Sequence, residues 1–364
     1  MEKGHTPIII TAGDINENTY YDGIEVIRRN TRIDIDEKYQ IVSYVVNALN
    51  MSFRLNKELK VLLKKKKIDI IQFCSLYGLG FFYCGMVPAI VRLSSYAKES
   101  FAYSETYSKL MIRIMSIFEK LGSHSSRGII SPSDFIGTSY GKDVDRKVIT
   151  IESPFNNNLI VENDSIYKQK FMNKKYILYY GVLSEDKGVI VLSKIIHKIL
   201  EKNPEYYFAF IGRSAKYKNE NVVKIVRMNA GEYKDRLICM EPLEHDKLYP
   251  VIRNAELVVL PSLAENLSNA CIESMALGKV VIGTNGTSFE QLIVDGKSGL
   301  LSILNDAESL YQKIEQAINL SEVEKEEMQE RAKERIAELA PDKVVGKLIR
   351  YYNYIIENQK KRRK

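Results

Sequence analysis

The stretch LVVLPSLAENLSNACIESMALGKVVIGT, Leu257 to Thr284, decides how this chain folds. Leu257–Leu260 is an apolar run that ends at Pro261, whose ring removes a backbone donor and stops a strand. Ser262 to Ser268 is a polar loop. Ser268 and Asn269 are both good N-cap types, so the spacing predicts a helix over Asn269–Leu277. A second apolar run follows at Val280–Gly283.

The same rhythm extends outward in both directions. Tyr176–Tyr180, Tyr206–Ile211 and Arg236–Met240 are apolar runs suited to buried parallel strands. Gly188–Lys202, Asn221–Met228 and His245–Arg253 are amphipathic segments between them. Strand–helix alternation at this spacing gives an α/β doubly wound parallel sheet with helices on both faces. The first half repeats the theme less regularly. Its strand candidates are Pro7–Thr11, Gly23–Ile27, Ile68–Phe73, Ala89–Leu93 and Gly128–Ser131. Its helices are expected at Glu37–Lys67, broken near Met51–Phe53, at Tyr103–Leu121 and at Pro132–Tyr140. The polar, aperiodic Glu152–Lys175, with Pro154 and the run Asn156-Asn157-Asn158, reads as a linker. Three helices close the chain at Asp306–Asn319, Glu322–Leu339 and Pro341–Asn358. Ligands of open α/β sheets bind beyond the carboxyl ends of the strands, so two facing sheets make the expected cleft.

Composition excludes several classes. The chain has 364 residues, 45% hydrophobic and 27% charged, which suits two folded domains and rules out wholesale disorder. Net charge is +7, most of it supplied by the five basic residues 360–364. A near-neutral body argues against nucleic acid as a partner. Cys74, Cys84, Cys239 and Cys271 lie singly in apolar runs, as reduced thiols do. No apolar stretch approaches the roughly 20 residues that span a bilayer. Met1-Glu-Lys-Gly-His is not a secretory leader, so a cytoplasmic protein is expected.

Glu265 and Glu273 carry the sharpest chemistry. Glu265 lies in the loop above the strand end, and Glu273 lies about one turn into the helix, on the face of Asn269. Exposed N–H groups at the helix start favour a diphosphate. Glu273 can accept two hydrogen bonds from a ribose diol, and Glu265 can accept from hydroxyls of a transferred sugar. Spacing alone equally allows both to be acids that stabilise the helix start. A second constellation, YILYYGVLSEDKGVIVL at Tyr176–Leu192, brings Lys187 to the cleft mouth beside the same region. An isolated lysine there would be a solvated surface residue; next to a diphosphate site it neutralises phosphate.

Three blocks in order resemble the donor domain of the GT-B glycosyltransferases, glycosyltransferase family 4. They are G–x–L–x–x–x–K–G at Gly181–Gly188, PS–x–x–E–(seven residues)–E at Pro261–Glu273, and G–x–x–x–E…DG–x–x–G–L at Gly286–Leu300. Roughly residues 170–340 are covered. The resemblance implies two facing Rossmann-like domains: 1–160 for the acceptor, 161–340 for the donor, and 341–364 as a helix and basic tail. It implies a retaining, metal-independent hexosyltransferase of class EC 2.4, with a nucleoside diphosphate sugar, most readily a UDP-sugar, as substrate and no cofactor. By resemblance, Glu273 holds the ribose, Glu265 the donor sugar and Lys187 the diphosphate. Backbone N–H groups of Asn266, Leu267, Ser268 and Asn269 assist. Gly181, Gly212 and Arg213, with Leu243, flank the base and phosphates. Charge builds on the leaving diphosphate, so Lys187 and the helix start are the largest expected catalytic terms, and Lys187 and Glu265 are the expected catalytic residues. The acceptor would be a saccharide or lipid-linked sugar in surface polysaccharide or glycolipid synthesis.

The chain departs from the family in three places. Val182 stands where many members carry Arg, and Ser94-Ser95 where many carry His. MEKGHTPIIITAGD resembles the end of the family's first helix and its second strand, so an N-terminal domain without its first strand is expected. These departures keep two alternatives open: a non-catalytic GT-B subunit that stabilises a partner, and a sugar-nucleotide 2-epimerase.

Weaker signals have plainer readings. Asp34-Ile35-Asp36 and Asp143-Val144-Asp145 are read as coincidental DxD strings, and no metal is expected. Gly78-Leu79-Gly80 reads as an acceptor-side loop. His5, His124, His197 and His245 show no ligand spacing. Lys57, Lys60, Lys64, Lys65, Lys66 and Lys67 form a basic helix end. It reads either as a solvated face or as a contact for an anionic membrane surface, while the aromatic stretch Phe81–Tyr83, with Tyr103 and Tyr107, could meet an acceptor.

Overall fold

The computed structural model describes residues 4–104, 106–157, 159 and 163–363. Asn158 of the expected linker and Lys364 of the basic tail lie outside them.

In the N-terminal half, β1 (Ile8–Gly13) pairs parallel with β3 (Ile24–Asn30), and β2 (Glu17–Tyr21) pairs antiparallel with β3. The long helix α1 (Gln40–Lys65) follows. A parallel sheet comes next, built from β4 (Ile71–Cys74), β5 (Ala89–Arg92), β6 (Gly128–Ser131) and β7 (Ile149–Thr150), in that order. Helices α2 (Ala97–Ser100), α3 (Lys109–Ser123) and α4 (Asp134–Val144) connect its strands. Among the described residues no ladder joins β1 to β4, so each keeps an unpaired edge. Ile10 of β1 and Ile71 of β4 share one apolar cluster with Leu59 and Leu63 of α1.

Helix α5 (Ser165–Lys170) leads into the C-terminal half. There the elements are β8 (Lys175–Tyr180), α6 (Val189–Ser193), α7 (Ile196–Lys202) and β9 (Tyr206–Ile211). A short hairpin, β10 (Lys216–Tyr217) and β11 (Glu220–Asn221), precedes α8 (Val222–Ala230) and β12 (Leu237–Met240). Then come α9 (His245–Arg253), β13 (Leu257–Val259), α10 (Asn269–Ala276), β14 (Val280–Thr284), α11 (Phe289–Leu292) and β15 (Leu300–Ser302). The six main strands form one parallel sheet, β12-β9-β8-β13-β14-β15. Both faces are buried. Ile177, Tyr179, Phe208 and Phe210 point into one core, and Tyr176, Leu178, Ala209 and Val258 into the other. This explains the continuous apolar runs, since a strand covered on both sides has no polar face to alternate with.

Helices α12 (Ala307–Ile318) and α13 (Glu322–Ala337) complete that half, and α14 (Pro341–Arg363) crosses back. Its Val344 and Ile355 pack on Ile90, Ile130 and Ile151 of the N-terminal half. Tyr352 donates to Gln72 Oε1 at 2.8 Å. Beside the crossing, the Phe155 N–H donates to the Leu339 carbonyl at 2.8 Å.

The expected break of the first long helix near Met51–Phe53 does not occur. Ser52 and Asn56 are buried, and Ser52 Oγ and Asn56 Nδ2 both donate to the Leu79 carbonyl. The expected helix at Tyr103 begins only at Lys109, behind the Ser108 cap. The linker contains α5, and β2, β7, β10, β11 and β15 were not foreseen. β2 is largely exposed, and the others are only two or three residues long. No helix among the described residues is long and apolar enough to cross a membrane.

Candidate functional site

Three strand-end loops of the C-terminal sheet meet above β8, β9 and β13. After β8, Gly181 donates its N–H to the Ile211 carbonyl at 3.0 Å, and Leu183 donates to the Arg213 carbonyl at 2.9 Å. Gly212 sits at φ +150°, and a Cβ there would lie 1.8 Å from the Gly181 oxygen. Only glycine lets these two loops touch. Farther along, Gly188 has φ +72°, and a Cβ would lie 1.8 Å from the Pro261 carbonyl oxygen. The Leu263 N–H donates to the Asp186 carbonyl at 2.8 Å. The loop after β8 is thereby pinned to the loop after β13.

That pinning brings Lys187 to Glu265, with Nζ 2.7 Å from Oε2. Neither group is fully exposed; the side chains keep 30% and 15% of their accessible surface. Three residues beyond Glu265, the Ser268 hydroxyl accepts from the Cys271 N–H at 3.2 Å and starts α10 as expected.

Glu273 occupies a separate niche one turn into α10. It is buried, with 9% of its surface accessible. Burial pushes its carboxyl pKa up, against the opposing pull of His245 and of the Tyr180 hydroxyl. Tyr180 Oη reaches Glu273 Oε2 at 3.4 Å and donates to the Ala270 carbonyl at 2.6 Å. His245 Nε2 lies 3.6 Å from Glu273 Oε1, and its ring stacks on Tyr249 at 5.3 Å and 15°. His245, Tyr249 and Tyr180 were not singled out from the sequence. The available signal was position: His245 opens α9 just after the carboxyl end of β12.

The structure therefore joins Lys187 to Glu265 directly and sets Glu273 on the adjoining helix. No contact among the described residues links Glu273 to that pair. Arg213 is exposed at the end of β9. Leu243 and Leu267 pack against the core that holds Tyr176, Leu178, Ala209 and Val258. Asn269 is exposed at the opening of α10.

Asn266 does more than offer a backbone N–H. Its Nδ2 donates to the Ser94 carbonyl at 2.9 Å, and its Oδ1 accepts from Ser133 Oγ at 2.7 Å. One amide thus ties the loop after β13 to the loops after β5 and β6. Gln291 makes a second tie, accepting from the Asp134 N–H at 2.8 Å and donating to the Pro132 carbonyl at 3.1 Å. It also donates to Glu152, which is ion-paired to Arg335. Ser94 and Val182, the two departures noted above, are both exposed at this face, and Ser94 Oγ lies 3.0 Å from Cys74 Sγ.

The DxD strings lie elsewhere. Asp34 pairs with Arg32, Asp36 accepts from the Lys38 N–H, and Asp143 pairs with Lys98. Gly78 and Gly80 pack against the backbone of α3. The six lysines at the end of α1 are all exposed, but Lys66 is engaged by Glu25. Exposed Phe53, on the same helix, meets Phe82 edge-on at 5.9 Å.

Residues 161–336 match the family described as glycosyl transferases group 1. An uncharacterized glycosyltransferase of Methanocaldococcus jannaschii is 27% identical over 327 residues, covering 87% of this chain and 81% of that protein. Sucrose-phosphate synthase from Thermosynechococcus elongatus superposes with a TM-score of 0.74 at 15% identity, over 98% of this chain and 90% of that one. A UDP-forming α,α-trehalose-phosphate synthase from Burkholderia vietnamiensis gives 0.72 at 10% identity, over 96% and 92%. At such identities these superpositions establish the fold, which is GT-B as the three sequence blocks implied.

Proposed function

Because residues 161–336 belong to the glycosyl transferases group 1, we propose that this glycosyltransferase performs a retaining transfer from a nucleoside diphosphate sugar to a saccharide or lipid-linked acceptor. The observation that carries the reading is the 2.7 Å Lys187–Glu265 pair beside the opening of α10. In this reading residues 161–340 hold the donor and residues 1–160 the acceptor.

Lys187 faces the diphosphate, where negative charge grows as the glycosidic bond breaks. An ammonium held in place before reaction costs no reorganisation at that moment. Arg213 and the N–H groups at Asn266–Asn269 share the charge, so the reading requires no metal. Glu265, already oriented by Lys187, accepts from hydroxyls of the moving sugar. Glu273 accepts from the ribose, and each hydrogen bond to its carboxylate contributes on the order of 1.5–3 kcal/mol. His245 and Tyr249 wall that niche. A departing phosphate oxygen takes the proton of the incoming hydroxyl, since Ser94 supplies no imidazole. The UDP-forming structural neighbour supports UDP as the nucleotide. Synthesis of surface polysaccharide or glycolipid at the cytoplasmic face of a membrane suits such an activity.

The test is direct. Glu273→Ala is expected to abolish donor binding in calorimetry, and Lys187→Ala to cut turnover by a hundredfold or more. Wild-type behaviour in both variants sinks the assignment. Val182 and Ser94 favour a second reading, a non-catalytic partner subunit. Incubation with UDP-, GDP- and ADP-sugars separates the two, because a subunit releases no sugar from any donor. A 2-epimerase would convert donor without acceptor.

The α1 lysines extend the reading to location. Lys57, Lys60, Lys64, Lys65 and Lys67 are exposed along the C-terminal part of α1 and just beyond it. Each basic residue near an anionic bilayer contributes about 1 kcal/mol. Vesicle sedimentation is expected to show binding to anionic but not to neutral lipid. Equal binding to both removes the membrane partner.

A further inference from the structure

The two acids of the site have different basic neighbours. Lys187 serves Glu265, with Nζ 2.7 Å from Oε2. Among the described residues, the basic side chain within ion-pair distance of Glu273 is His245, whose Nε2 lies 3.6 Å from Oε1. Tyr180 does not fill that role. Its single hydroxyl proton is spent on the Ala270 carbonyl at 2.6 Å, which leaves the 3.4 Å approach to Oε2 a weak contact.

His245 stands in a costly place. It is the first residue of α9, and a helix N-terminus disfavours positive charge. Asp246, of the type that suits a helix start, accepts from Asn163 Nδ2 at 3.1 Å. The imidazole is exposed, yet its ring is braced. It lies parallel to Tyr249, one turn along α9, at 5.3 Å and 15°, and Tyr249 is buried in the core. An exposed imidazole held on a buried ring and set beside a buried carboxylate is placed to act on that carboxylate.

The chemistry of a diol says what it does there. Two adjacent hydroxyls are best met by a carboxylate, which only accepts, whereas a protonated carboxyl turns one oxygen into a donor. Burial pushes Glu273 toward the protonated form, and His245 pulls the other way. We infer that His245 is a positioning residue: it holds the Glu273 carboxylate charged and oriented, so that the site selects a ribonucleoside diphosphate over its 2′-deoxy counterpart. The inference rests on the transfer reading above, in which Glu273 receives the ribose.

The experiment titrates the full chain with UDP, GDP and ADP and with their 2′-deoxy forms, by saturation-transfer NMR, which follows weak binding. The wild type is expected to prefer the ribo form of the base it binds tightest by roughly tenfold or more, the worth of a hydrogen bond to a charged group. Glu273→Gln removes that preference. His245→Phe keeps the ring on Tyr249 but carries no basic group, and it is expected to lose most of the preference with unchanged affinity for the deoxy form. His245→Arg, which can stack and carries charge, restores part of it. The double variant Glu273→Gln/His245→Phe loses no more than Glu273→Gln alone, because one residue acts through the other.

Full preference in His245→Phe, tighter ribonucleotide binding in that variant, or an additive loss in the double variant overturns the inference while leaving the ribose seat intact. Equal binding of ribo and deoxy forms by the wild type, or no loss of preference in Glu273→Gln, overturns the ribose seat and the inference together.

Discussion

Glu119 sits inside the N-terminal half, 2% exposed, with its Oε2 accepting from the Ala97 N–H at 2.9 Å. Burial pushes its carboxyl pKa up to about 8, against the opposing hydrogen bonds from Ala97 and Ser95. The native state therefore holds a proton that the unfolded chain releases near the ordinary value of 4.5. Stability from this group is fully present below that ordinary value and is lost as pH rises toward 8. Glu119→Gln keeps the size and removes the titration. Its unfolding free energy is expected to gain on the wild type between pH 5 and pH 8.5, by roughly 2–4 kcal/mol. A constant difference across that range, in urea melts, refutes the account. The position carries no sequence signal, because a Glu in an amphipathic helix reads as solvent-facing. The placing of Lys187 and Glu265 in strand-end loops and of Glu273 in α10 was legible, because strand ends and helix starts are readable from local residue types. Their partners His245 and Tyr180 were not, since those contacts form between elements.

At the level of elements, the β8–α6 loop depends on one backbone conformation. Gly188 has φ +72° and lies against the Pro261 carbonyl. Gly188→Ala meets left-handed strain of roughly 1–3 kcal/mol, with a clash in addition. The loop must shift, carrying Lys187 away from Glu265. The expected result is a lower melting temperature and at least tenfold weaker donor binding; a variant with wild-type donor affinity contradicts the role given to this loop. Most elements of the C-terminal half were legible because strands buried on both faces write long apolar runs. Helix α1 misled because its interior polar residues, Ser52 and Asn56, donate to the Leu79 carbonyl, a partner more than twenty positions away. Strand β2 was silent because Tyr20 and Tyr21 are exposed, at 75% and 73%.

At the level of the whole molecule, two side-chain amides link strand-end loops of the two halves. Asn266 spans to Ser94 and Ser133, and Gln291 spans to Pro132, Asp134 and Glu152. None of this pairing is visible in sequence, since the partners lie 133 to 172 residues apart. Removing both amides, in Asn266→Ala/Gln291→Ala, is expected to enlarge the radius of gyration of the donor-free protein in small-angle scattering. An unchanged scattering profile shows that other contacts hold the halves together.

The polypeptide passes between the halves twice, once before α5 and once before α14. The two passages run side by side, joined by the Phe155–Leu339 backbone bond and the Glu152–Arg335 pair. A two-ply joint of this kind behaves like a door hung on paired pins. It predicts rotation about a single axis along that seam, with Gln291, bonded to both Glu152 and Arg335, hardly moving.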